Sequence, residues 1–220
     1  MGKIAREFDA LLLVDSISAV GGMLIGMDQC GADVVAGASQ KCLELPPGLA
    51  PIALSKRAQD YLKKMINRKV PYVLDLEIWR KSLENRGDWH PQPITGATNT
   101  LWAMDWMIDQ IIDEKIENRE KRFKRTGEYL KKNFLELGFK LGARPECASP
   151  VVTEFIVPDK YTAEDFRSYY MNEYNLMVGR GERLNSKGQS ISFRVAHFGR
   201  ATEENRVEML LAITRKFIKK

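Results

Sequence analysis

The feature that most constrains this chain is a pair of short apolar runs whose ends carry chemistry. Residues 10–14 are Ala, Leu, Leu, Leu and Val, and Asp15 follows directly. A run this short, closed by an acid, has the form of a buried parallel strand. A second run, residues 32–39, passes through Val34 and Val35 into Gly37, Ala38 and Ser39, with Gln40 and Lys41 beyond. Ligands of open α/β sheets bind at the carboxyl ends of the strands. Asp15 and Lys41 are therefore expected to face one site. A lysine among small residues at a strand end can be desolvated, which makes its amine a usable nucleophile. Spacing alone leaves open a plain strand-end acid and a surface lysine.

Composition removes whole classes of function. The chain has 220 residues, of which 44% are hydrophobic and 29% charged, enough for a real core in one large domain or one and a half. Intrinsic disorder is excluded by this apolar content. No apolar run approaches the length of a membrane span, and Glu7 and Asp9 interrupt the place of a secretory signal core. The three cysteines, Cys30, Cys42 and Cys147, are odd in number and form no CxxC pair. With only two histidines, His90 and His197, neither a disulfide framework nor a metal site is expected, and the reading is a cytoplasmic protein. A net charge of +5 from 34 basic and 29 acidic residues is a mild excess, so nucleic acid is not an expected partner. Lys56, Arg57, Lys63, Lys64, Arg68 and Lys69 read as a solvated helix face. No GxGxxG follows a strand, which argues against a dinucleotide site.

The remaining pattern is coarse α/β. Residues 4–8 end a helix. Residues 49–54, with Pro51, give a third strand at an edge. Ser55 is placed to cap a helix over 56–66, and a short helix is expected near 76–83. Residues 99–137 read as one long helix ending at Gly138, with Gly127 as a candidate break. Strands are expected over 151–157, 176–178 and 190–195. A helix over 161–174 carries Thr162 as its cap, and a closing helix over 202–219 carries Thr202. The first half thus reads as parallel α/β and the second as a smaller α+β unit. Trp89, Trp102 and Trp106 are not expected to stack on a cofactor; Trp102 and Trp106, four apart, read as core or dimer interface.

An acid and a lysine on neighbouring strand ends suit pyridoxal phosphate, which needs an amine for its Schiff base and a carboxylate for its pyridinium nitrogen. Three segments sharpen this: Leu13-Val14-Asp15-Ser16-Ile17-Ser18-Ala19-Val20-Gly21-Gly22, Gly37-Ala38-Ser39-Gln40-Lys41-Cys42-Leu43, and Pro46-Pro47-Gly48-Leu49-Ala50. In that order they resemble the class V aminotransferases. The nearest likeness is to the alanine–glyoxylate and serine–pyruvate group, which also includes ureidoglycine–glyoxylate enzymes. The resemblance runs through to the closing helix. It implies fold type I, with a partial large cofactor-binding domain over residues 1–112 and a small α+β domain over 113–220.

By position, the resemblance implies that Lys41 is the catalytic lysine that binds the cofactor and moves the substrate proton. Asp15 would pair with the ring nitrogen, Ile17 would pack on a ring face, and Gln40 would bond the phosphate. Thr95 matches a phosphate-contacting loop reaching across a homodimer, although Gly96 stands where the family has proline and Gln92 where a tyrosine is often found. Arg194, in Ser190-Ile191-Ser192-Phe193-Arg194-Val195-Ala196-His197, matches the arginine that grips the substrate carboxylate. Without the resemblance, Arg194 could equally form a surface ion pair. His197 reads as structural. The expected reaction moves an amino group from alanine or serine to glyoxylate or pyruvate.

The resemblance also implies that an amino-terminal part of the family's large domain precedes Met1 in relatives. An amino-terminal partner chain is one possible source of it. Alternatives therefore stay open: another class V reaction, such as a lyase or a desulfurase acting through Cys147, or a non-catalytic fragment or subunit.

Overall fold

The computed structural model describes residues 1–65, 69–84 and 92–219. Expectations that fall on Ile66, Arg68, Trp89, His90 and Pro91 lie outside the described residues. The chain divides into two compact units, Met1–Val20 with Ile25–Gln110, and Gly21–Leu24 with Ile111–Lys220.

In the first unit, β1 (Leu13–Asp15), β2 (Val34–Ala36) and β3 (Ile52–Leu54) form a sheet in that order. Strands β1 and β2 are parallel, with Asp15 opposite Ala36. Strand β3 is antiparallel to β2, with Ile52 opposite Ala36, which corrects the expectation of an all-parallel half. The reason lies in the connection. After β2 the chain turns at Pro46-Pro47-Gly48 and doubles back, with Ser39 N–H donating to Leu49 O and Gly37 N–H to Pro51 O. A short return of this kind can only make antiparallel neighbours, because parallel ones need a longer crossover.

Helices α1 (Gly2–Glu7), α2 (Met27–Cys30), α3 (Lys56–Lys64) and α4 (Leu76–Glu84) flank this sheet in sequence, and α5 (Thr98–Glu114) follows. Ser55 caps α3 by accepting from Ala58 N–H at 3.0 Å. The same hydroxyl donates to Asp33, which is buried and also accepts from Leu12 N–H and the Arg57 guanidinium. One carboxylate thus ties β1, β2 and α3 together. Burial pushes the Asp33 carboxyl up, but the Leu12 amide, the Ser55 hydroxyl and the Arg57 charge outweigh it and hold it below the usual carboxylate range. Arg57 is accordingly a structural cation rather than part of a solvated face, whereas Lys56, Lys63 and Lys64 are exposed. Trp102 and Trp106 on α5 are 73% and 59% exposed, so neither joins the core of this chain.

The second unit contains α6 (Ile116–Glu136), β4 (Lys140–Leu141), β5 (Val152–Ile156), α7 (Ala163–Tyr174), β6 (Gly179–Arg180), β7 (Ser192–Ala196) and α8 (Glu204–Ile218). Its sheet has the order β4-β5-β7-β6, with every neighbouring pair antiparallel. One face is apolar: Phe155 and Phe193 pack with Phe134, Phe139, Phe166 and Leu211 in the core. Phe134 stacks on Phe155 with ring centroids 4.1 Å apart. Along β7 the burial alternates, so Phe193 and Val195 face inward while Arg194 and Ala196 are exposed.

The expected 99–137 helix is two helices. The break falls at Lys115, whose φ is 66°, and not at Gly127. Glu114 spans the break, accepting from Arg122 at 2.7 Å and from Arg119 at 2.9 Å. Gly127 lies within α6 because the helix presses on His197: a Cβ there would stand 2.5 Å from the imidazole Cε1. Gly138, with φ 87°, follows the end of α6 as expected. Thr162 and Asp165 form a complete capping box on α7. Thr202 does not cap α8; its hydroxyl donates to Gly199 O and accepts from Arg122, and α8 starts at Glu204. The strand expected over 176–178 lies at Gly179–Arg180, and β4 is too short to leave a pattern.

Among the described residues, no helix is long and apolar enough to cross a membrane, and no group of three or more His, Cys, Asp or Glu could hold a metal ion.

Candidate active site

The carboxyl ends of β1 and β2 adjoin. Ser16 N–H donates to Ala36 O at 2.8 Å immediately after the last paired residues. The chain after β1 then curls tightly, with Ala19 and Val20 N–H both returning to Ser16 O. Asp15 Oδ1 accepts from Ile17 N–H at 3.0 Å, which fixes the carboxylate at the strand end while leaving it exposed. Ile17 is 38% exposed, an apolar side chain available beside that carboxylate.

Small residues bring the second strand end against this curl. Gly37 and Ala38 are buried, and a Cβ on Gly37 would sit 3.0 Å from Val20 Cγ2 and 3.2 Å from Pro51 Cγ. Ser39, fully buried, stitches the following turn: its hydroxyl donates to Pro46 O at 2.7 Å and accepts from Leu49 N–H at 3.2 Å. Lys41 O accepts from Glu44 N–H, which closes the turn that presents the lysine. Buried Cys42 donates through Sγ to Ser18 O at 3.1 Å, tethering the Lys41 turn to the loop after Asp15. The structure thus brings Asp15, Ile17, Gln40 and Lys41 to one end of one sheet. Gln40 is exposed and Lys41 half-buried, and neither Asp15 nor Lys41 is spent in an ion pair among the described residues.

Two predicted residues lie on other segments. Thr95 is exposed and precedes α5, and no hydrogen bond among the described residues ties it to the Asp15–Lys41 group. Arg194 belongs to the second unit, on β7. Its Nε donates to Arg180 O at 2.8 Å, and it makes no ion pair among the described residues, so the surface ion pair that the sequence left open does not form. His197 is fully buried, with Nε2 3.0 Å from Thr153 Oγ1, in keeping with a structural role. Burial, and after it the Lys131 charge, lowers its pKa to about 4. Cys147 is an exposed free thiol in a short 3-10 turn.

Sequence reasoning missed the residues that hold the site rather than form it. Ser39 and Cys42 lie within the quoted motif, and their smallness was the available signal. Glu154, which stands across from Arg194, and Arg183 and Ser192, which bond to Glu154, gave none, since their meeting depends on strand pairing.

Chemically, an accessible carboxylate and a half-buried amine on adjoining strand ends, with an apolar side chain between them in sequence, can hold a planar heteroaromatic aldehyde at both ends. That donor set fits pyridoxal phosphate.

Comparison with known proteins gives the family and the fold of the chain. The sequence model of the family Aminotransferase class-V matches residues 1–210. An uncharacterised aminotransferase of Methanocaldococcus jannaschii is 32% identical over 97% of this chain and 54% of its own length. Alanine–glyoxylate aminotransferase of Mus musculus is 29% identical over 82% of this chain and 44% of its own length. Alanine–glyoxylate aminotransferase from Nostoc sp. superposes with a TM-score of 0.88 at 28% identity, covering 99% of this chain and 56% of that one. The chain spans about half the length of the relatives it matches. On the family match and the superposed fold together, it belongs to the class V aminotransferases, pyridoxal-phosphate enzymes of fold type I.

Proposed function

We propose that this chain carries the lysine-bearing part of an enzyme that moves an amino group from a small amino acid, alanine or serine, to a 2-oxo acid, glyoxylate or pyruvate. In this reading residues 1–112 are the carboxyl-terminal part of the large cofactor-binding domain and residues 113–220 the small domain. The observation that carries it is the tethered pair of strand ends, where Asp15 and Lys41 share one end of the first sheet.

When bound, pyridoxal phosphate supplies an aldehyde that takes up the amino group and a ring that withdraws electrons from the substrate Cα. The chain supplies the rest. Lys41 Nζ would hold the cofactor through its amine and would serve as the base for the substrate Cα proton. The Asp15 carboxylate, oriented by Ile17 N–H, would accept from the ring N–H. Ile17 would cover a ring face and exclude water. The Gln40 amide and the Thr95 hydroxyl would donate to phosphate oxygens, Thr95 from the partner across a homodimer. Arg194 grips the substrate carboxylate through two parallel hydrogen bonds.

The test is the donor half-reaction. The chain, reconstituted with pyridoxal phosphate, should release pyruvate from L-alanine or hydroxypyruvate from L-serine. Arg194→Ala should raise the amino acid concentration required by about tenfold or more, as loss of a charge-assisted bidentate pair implies. Persulfide formation on Cys147 from L-cysteine, with no keto acid from alanine or serine, would replace this reading with a desulfurase.

A second reading, a subunit that works only with an amino-terminal partner chain, is favoured by β1, which has β2 as its one strand neighbour among the described residues. Leu13 on that strand is 66% exposed, and unpaired apolar strand edges invite another strand. Activity that appears only on adding such a partner would favour it.

A further inference from the structure

The outward face of the second sheet contains an acid that stands across from Arg194 and does not pair with it. Glu154 on β5 and Arg194 on β7 are direct cross-strand partners, which places their Cβ atoms about 5 Å apart on one face. Opposite charges so placed ordinarily meet. Instead, Glu154 Oε1 accepts from Ser192 Oγ at 2.7 Å, and Oε2 accepts from Arg183 Nε at 3.2 Å. Arg183 is itself fixed by a hydrogen bond from Nη2 to Gly142 O.

Two glycines make room for this arrangement. A Cβ on Gly142 would overlap Glu154 Oε2, and one on Gly181 would overlap Ser192 Oγ. A third, Gly179, is the β6 residue opposite Arg194 and leaves that flank bare of any side chain. Among the described residues, the Arg194 guanidinium is steadied through Nε alone, on Arg180 O. Its two terminal nitrogens have no partner among the described residues.

We propose that Arg183 and Ser192 are positioning residues that draw Glu154 away from Arg194, so that the Arg194 fork stays open to a substrate carboxylate. The proposal rests on the reading of Arg194 as the carboxylate-binding residue. Its physical content is competition. Glu154 is the carboxylate directly across the strands from that fork, and an intramolecular carboxylate would outcompete a dilute one unless held elsewhere. Arg183 satisfies one carboxylate oxygen and Ser192 the other.

The experiment follows the Arg194 Nε–H resonance by NMR in the full chain, assigned with Arg194→Lys, and uses pyruvate as the carboxylate probe. Arg183→Ala should move this resonance before any ligand is added, as Glu154 swings onto Arg194. It should also weaken the apparent pyruvate affinity roughly fivefold, the size set by a competing exposed ion pair. Arg183→Ala combined with Glu154→Gln should return both values close to wild type, which a merely structural role of Arg183 would not do. An unmoved resonance in Arg183→Ala, or a double variant that stays like the single one, overturns the proposal. If Arg183→Ala moves the resonance reversibly but pyruvate never does, the carboxylate reading of Arg194 fails while the steering of Glu154 stands. If pyruvate moves it and Arg183→Ala does not, the reading of Arg194 stands and the steering fails.

Discussion

At the scale of single residues, the buried imidazole of His197 sets a pH limit on the second unit. Burial and the Lys131 charge lower its pKa to about 4, while an unfolded histidine titrates near 6.5. A folded pKa below the unfolded one means the unfolded state binds the extra proton first. The stabilisation is therefore complete above about pH 6.5 and is lost as pH falls toward 4. The span corresponds to about 3 kcal/mol. Denaturation midpoints measured between pH 7.5 and 4.5 should fall in the wild type and fall less in His197→Asn. Parallel curves would show that His197 does not titrate as described. The same scale explains why Asp15 and Lys41 were legible in the sequence. Each follows a short apolar run of strand form, so its place near a strand end needs little tertiary information. Arg183 and Ser192 were not legible, because the register of β5 on β7 sets Ser192 beside Glu154 and the chain after β6, returning along β7, brings Arg183 there.

At the scale of elements, α6 shows how packing overrides propensity. A glycine inside a helix costs about 1 kcal/mol against alanine, so Gly127→Ala should stabilise an isolated helix by that amount. Here the new Cβ would stand 2.5 Å from His197 Cε1, and the ring is enclosed. Gly127→Ala is therefore expected to destabilise by about 1–3 kcal/mol through overpacking. Urea unfolding decides it, and a stabilised variant would mean that α6 and β7 can separate freely. The capping box on α7 was readable from Thr162 and Asp165 because its partners are local. The break at Lys115 was not, because Glu114 secures it through Arg119 and Arg122, five and eight residues downstream. Thr202 misled for a related reason: a good cap by type, it is occupied by Arg122 and Gly199. Thr162→Ala should cost about 1 kcal/mol in the same unfolding measurement.

At the scale of the whole molecule, the chain is two compact units, each with its own sheet. The α/β texture of the first half and the α+β texture of the second were visible in the spacing of short apolar runs. The direction of β3 was not, because it depends on a turn that returns the chain directly onto β2. The family resemblance rested on motifs that the fold gathers at the carboxyl ends of β1 and β2, and the family match now covers residues 1–210. The central claim is that these strand ends form a working lysine site. The most direct measurement is to add pyridoxal phosphate to the chain, reduce with borohydride and map the modified peptides by mass spectrometry. The account predicts one dominant pyridoxyl group on Lys41, lost in Lys41→Ala. Adducts spread over surface lysines, or an undiminished yield in Lys41→Ala, would contradict it.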